Sequence, residues 1–235
     1  MSEPQPLGRR LAAEALGAFF LFAAVVGSGV MAERLSGGNV GVALLANTMA
    51  TAAMLFVLIA MLGPISGAHM NPAVSLVAAL RRELAARDLP LYALAQLAGG
   101  LLGVAAAQLM FDLPVPELST KARAGVGQWT GEFLATFGLV LTILGTIRHR
   151  PAWVPLSVAL YIASAYWFTS STSFANPAIT IARSLTNSFA GIAPRDAPAF
   201  IAAQLAGALS GALVGGRLFG RPPDPTRTFE PKRSR

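Results

Sequence analysis

The tripeptide Asn-Pro-Ala occurs twice, as Asn71-Pro72-Ala73 within SGAHMNPAVSL (66–76) and as Asn176-Pro177-Ala178 within SFANPAITIARSL (173–185). Its residue types suit one job. Asn caps a helix N-terminus by accepting from a first-turn backbone N–H through its side-chain oxygen. Proline suits the first helical position, where its fixed φ matches the helix and its missing N–H would have gone unpaired. Alanine lets two such helix starts approach closely. With the Asn oxygen committed to backbone, its NH2 faces outward as a donor. Two such tips brought together present donors and positive dipole ends to whatever passes between them. An oxygen lone pair is accepted there, whereas a cation, hydronium included, meets two partial positive charges and loses hydration. The chemistry implied is selective passage, with no bond made or broken.

The elements that must position these tips follow from composition. Of 235 residues 54% are hydrophobic and only 12% charged, which is a membrane chain. A bilayer core needs about 20 apolar residues of helix to cross it. Six stretches qualify, at roughly 10–32, 40–62, 89–111, 128–147, 153–170 and 197–219. The polar-apolar alternation of a barrel lumen is missing, so the expected fold class is an all-α membrane protein. The two Asn-Pro-Ala stretches are too short and too punctuated to span, and read as re-entrant half-helices facing a protein interior or a watery cavity.

Landmarks recur in order along the chain. Glu14, Asn71 and Gln96 in the first half return as Glu132, Asn176 and Gln204, offset by 118, 105 and 108 residues. Each half carries three spans, an odd number, so the second copy enters from the opposite side, and such inverted repeats share a site near the bilayer midplane. The expected organisation of 1–235 is a single channel domain: repeat one at 9–111, a polar linker at 112–127, repeat two at 128–219 and a basic Pro-rich tail at 220–235.

Basic residues give the orientation. Thirteen of the 18 Lys and Arg fall on the two ends and on the loops after the second and fourth spans, which predicts cytoplasmic termini in a plasma (inner) membrane. The net charge of +7 is scattered over tails and loops, so it reads as an orientation signal and not as a nucleic-acid surface. The apolar run after Arg9 and Arg10 contains Glu14 and has the length of a full span, so it is expected to stay in the mature chain. Cysteine is absent, so there is no disulfide and no thiolate ligand. There is also no phosphate loop, no cluster of metal ligands and no nucleophile-base pair. An enzyme, a cofactor and a bound metal are therefore not expected.

At SGAHMNPAV the sequence resembles the aquaporin and glycerol-facilitator channels, the major intrinsic proteins, and the repeat extends the resemblance over nearly the whole chain. That resemblance implies six tilted helices plus two half-helices, one pore per subunit, a homotetramer in the lipid bilayer, and passive flow of water and small neutral solutes. It implies that Glu14 and Glu132 brace the re-entrant loops of their own halves. His69, two residues before Asn71, reads either as a lining residue of the inner vestibule or as a buried structural histidine.

Family members usually place Arg directly after the second Asn-Pro-Ala, in the narrowest ring. Here Ile179 stands there, and the nearest Arg is Arg183, one helical turn later and so expected at the outer mouth. Counting from the motifs places the other ring positions at Thr51, Ser164 and Ser173. A ring of Thr51, Ser164, Ser173 and Ile179 is uncharged and non-aromatic. It suits neutral polyhydroxylated solutes such as glycerol, urea or undissociated metalloid acids, arsenous acid among them. Two alternatives stay open. Arg183 could fold back to leave a near water-only pore, or Glu14, Glu132 and His69 could serve an ion- or proton-coupled carrier.

Overall fold

The structure, a computed structural model, describes residues 5–220. The long helices are α1 (Leu7–Leu35), α2 (Val40–Ser66), α4 (Leu89–Met110), α5 (Val126–His149), α6 (Val154–Phe168) and α8 (Ala197–Phe219), and the short ones are α3 (Pro72–Leu80) and α7 (Pro177–Arg183). Five of the long helices have the length and apolar composition to cross a membrane. α6 is the exception at 15 residues, about 22 Å of rise, with a 3-10 turn at Pro151–Trp153 leading into it. The tail expected at 220–235 lies, but for Gly220, outside the described residues.

Local chemistry sets the helix ends. Asn39 starts α2 by accepting from the Val42 N–H at 3.1 Å, and Gly67, at φ 91°, ends it in the left-handed conformation that glycine adopts without penalty. Asn71 and Asn176 are the N-caps of α3 and α7, each followed by proline at the first turn.

The two halves pack alike. α1 lies against α4 and α5 against α8, and glycine makes both crossings possible. A β-carbon at Gly99 would collide with the Ala15 carbonyl oxygen and one at Gly103 with that of Phe19. At Gly207 it would strike the Phe133 carbonyl oxygen, and at Gly211 it would lie 2.8 Å from that of Phe137. Backbones that approach this closely are the use of small residues four apart in a membrane helix. Phe22, Val26, Leu58, Ile162 and Phe200, drawn from both halves, are buried in one shared core. Large apolar residues on the outer faces, among them Leu94, Leu102, Leu160 and Leu213, are exposed.

Candidate functional site

α3 and α7 meet tip to tip. The Asn71 side-chain oxygen accepts from the Ala73 N–H at 2.9 Å, and the Asn176 oxygen from the N–H groups of Ala178 at 3.0 Å and Ile179 at 3.3 Å. The NH2 groups are used across the pair: Asn71 donates to the Ala175 carbonyl at 2.7 Å and Asn176 to the Met70 carbonyl at 2.8 Å. This reciprocal pair takes one N–H of each amide, and the second remains for the lumen. Ala73 and Ala178, both fully buried, let the tips approach. Pro72 and Pro177 hold the first helical positions.

The approach to each tip is irregular backbone, with Ala68 and Met70 in one half and Ser173 and Ala175 in the other at φ between 48° and 50°. A buried carboxylate holds each approach. Glu14 accepts from Ser66 Oγ (2.6 Å), the N–H groups of His69 (2.9 Å) and Met70 (2.6 Å), and Gln96 Nε2 (2.7 Å). Glu132 accepts from the N–H groups of Phe174 (2.8 Å) and Ala175 (2.9 Å) and from Gln204 Nε2 (2.5 Å). Each glutamine also donates to a hydroxyl inside the half-helix, Gln96 to Ser75 at 2.9 Å and Gln204 to Thr180 at 2.8 Å. Gln96 and Gln204, landmarks of the repeat in the sequence, thus complete the carboxylate network. Burying an ionisable group this deeply is tolerated when its acceptor sites are filled.

One cavity of about 690 Å3 runs from Arg10, Asp88 and Tyr92 at one end, past Asn71 and Asn176, to Tyr166 and Arg183 at the other. His69, half-buried, lies along it, with Nδ1 3.1 Å from Ser75 Oγ and its ring beside Tyr92. Thr51, Ser173 and Ile179 line it as well. Ser173 Oγ is buried and has no hydrogen-bond partner among the described residues.

Ser164 does not line the cavity. It is exposed on the outside of α6, and the same helix turns Ile162 and Tyr166 inward. Residues two apart on a helix point about 200° from one another, so a spacing that is off by two selects the wrong face. The sequence-based ring therefore missed an aromatic: Tyr166 is buried and its hydroxyl donates to Thr51 Oγ1 at 3.3 Å. Its aromatic type and its position two residues from the counted one were the available signals.

Arg183 also lines the cavity and is only 3% exposed. Its guanidinium lies 3.3 Å from the centroid of the Phe174 ring and Nε donates to the Ala190 carbonyl. Among the described residues no group of His, Asp and Glu is arranged to hold a metal.

A passage through a helical bundle, guarded by two head-to-head half-helices, defines a membrane channel. The chain belongs to the major intrinsic protein family, whose sequence profile matches residues 2–168; it is a multi-pass membrane channel and not an enzyme. It is similar to Aquaglyceroporin AqpS of Rhizobium meliloti (strain 1021), with 57% identity over 198 residues and 84% of each chain covered. Aquaporin NIP1-1 of Arabidopsis thaliana is 31% identical over 161 residues, covering 65% of this chain and 53% of that protein. The X-ray structure of the aquaglyceroporin from Plasmodium falciparum shares the fold, with a TM-score of 0.65, 20% identity, and 92% of this chain and 96% of that one covered.

Proposed function

We propose that this chain is a passive pore for water and small neutral solutes, with Thr51, Tyr166, Ser173 and Ile179 as the ring that selects and Arg183 as a donor at its outer edge. The observation that carries this reading is the wall of the passage beyond the Asn pair. It combines hydroxyls at Thr51, Tyr166 and Ser173 with an aliphatic face at Ile179, and among the described residues it has no carboxylate. A molecule such as glycerol, urea or arsenous acid has hydroxyl or amide groups for the first side. It carries no charge to lose hydration on the second. The name of the Rhizobium relative, an aquaglyceroporin, agrees with that solute class.

The near water-only alternative needs Arg183 to close over the ring. Its contacts with Phe174 and the Ala190 carbonyl hold it against the wall, which favours the wider pore. The coupled-carrier alternative needs Glu14 and Glu132 to exchange protons, yet their oxygens are taken up by donors of the approach segments, by the glutamine of the same half and, for Glu14, by the Ser66 hydroxyl.

The chain is read as one channel unit made of repeat one (9–111), a linker and repeat two (128–219). It is further read as a homotetramer in the inner membrane with cytoplasmic termini. The basic residues on the two ends and on the 81–87 and 148–150 loops support the orientation. The exposed apolar faces of α2, α4 and α8 leave room for both lipid and neighbouring subunits.

Stopped-flow swelling of proteoliposomes in water, glycerol, urea and arsenous acid gradients tests the reading. Water and at least one of the solutes should enter faster than in empty vesicles, and an imposed proton gradient should leave the rates unchanged. Rapid water flux with no entry of glycerol or arsenous acid would refute the wide filter.

A further inference from the structure

The second Asn-Pro-Ala stretch is reached through a turn that is harder to hold than its first-half counterpart. Thr172 has φ 61°, where the equivalent residue of the first half, Gly67, has φ 91°. A β-branched residue in the left-handed region is a genuine outlier. Such conformations persist where the surroundings over-determine them. The carbonyl just before each turn is clamped in both halves. Ser66 O accepts from the Tyr92 hydroxyl at 3.0 Å, and Ser171 O accepts from Arg123 Nη1 at 3.1 Å.

The two clamps come from different places. Tyr92 belongs to α4, whereas Arg123 comes from the segment between the halves, which the sequence offered only as a polar outer loop. That segment is pinned over the second half by backbone bonds from Glu117 to Leu185 (3.1 Å), Ser119 to Ser184 (3.0 Å) and Ala193 to Lys121 (2.7 Å). Arg123 itself donates through Nε to the Gly191 carbonyl at 2.9 Å, and its backbone N–H goes to Asp196 Oδ2 at 2.7 Å. Its guanidinium lies 5.0 Å from the same Phe174 ring that carries Arg183, and Arg183 is held by the carbonyl next door, that of Ala190. Neither guanidinium forms an ion pair among the described residues.

We propose that Arg123 is a positioning residue for solute selection. It ties the segment that presents Ser173 to the segment that anchors Arg183, so the linker between the repeats sets the width of the outer passage. A planar guanidinium can engage two carbonyls and a ring face at once, whereas an ammonium reaches fewer of these partners in fixed geometry. The proposal rests on the reading of the passage as a pore for neutral solutes.

The test compares proteoliposomes of wild type, Arg123→Ala, Arg123→Lys and Lys121→Ala. The readout is the ratio of glycerol to water permeability, which cancels differences in the amount of folded channel. Arg123→Ala should raise the ratio several-fold as the Ser173 segment relaxes, and Arg123→Lys should raise it less. Lys121→Ala, which removes the linker's contacts to the Phe189 carbonyl and ring and touches neither Ser171 nor Phe174, should keep the wild-type value. Should Arg123→Ala not fold, Arg123→Lys carries the test by the same ratio. An unchanged or lowered ratio in the Arg123 variants, or an equal rise in Lys121→Ala, overturns the proposal. Wild-type vesicles that pass neither water nor glycerol would instead overturn the pore reading itself.

Discussion

The Tyr166 hydroxyl meets Thr51 Oγ1 at 3.3 Å, joining α6 to α2 on the wall of the cavity. The contact is long for two hydroxyls, so both oxygens retain capacity for a solute. Truncation to Tyr166→Ala should widen the passage and raise glycerol flux relative to water several-fold. Ser164→Ala, altered on the outside of α6, should leave the ratio at its wild-type value. Stopped-flow light scattering on the two variants decides which residue faces the permeant.

Ile179 lines the same wall one helical turn before Arg183. In Ile179→Arg a second guanidinium enters the passage, and glycerol flux should fall far more than water flux. Parallel losses of both would argue that Ile179 does not sit at the constriction.

The Asn pair predicts a defect in ion exclusion. Asn176→Asp keeps the oxygen that caps α7 but loses the NH2 that reaches the Met70 carbonyl, and it places negative charge where two helix dipoles turn positive. Proton leak, followed with a pH-sensitive dye inside vesicles, should rise above wild type while water still passes.

Glu14 satisfies four donors at once. Glu14→Ala strands them in a dry interior at about 1–3 kcal/mol for each buried group left unpaired. The yield of folded channel and its melting temperature in detergent should therefore collapse. Glu14→Gln retains one acceptor oxygen and should fall between the two.

At Gly207 the Phe133 carbonyl oxygen occupies the space of a side chain. Gly207→Val must push α5 and α8 apart, and its melting temperature should drop well below that of wild type. Gly216→Val is the control, since none of the described residues lies within 4 Å of a β-carbon there.

Much of the site was legible in the chain because it rests on local rules. An Asn followed by Pro is a helix start wherever it falls, and Glu14, Asn71 and Gln96 return in the same order as Glu132, Asn176 and Gln204. The contacts of Glu14 and Glu132 with the approach segments recur in the two halves, as do the tight glycine crossings. The ring on α6 was not legible by counting. A shift of two residues between helix and motif exchanges the lumen face for the outer face, and the path from Phe168 to Asn176 passes through Thr172, Ser173 and Ala175 at positive φ. No hydropathy pattern fixes the length of so irregular a path.

The sequence by itself determined a helical membrane chain, its two capped half-helices and their inverted relation, because apolar length, capping chemistry and an odd number of spans per repeat are properties of segments. Only the tertiary structure decided that Tyr166 and not Ser164 faces the passage, that Arg183 lies on Phe174, and that Arg123 reaches in from the linker. Those outcomes depend on how residues from separate elements meet in space, with distances of 3 to 5 Å set by packing that no single stretch of the chain contains.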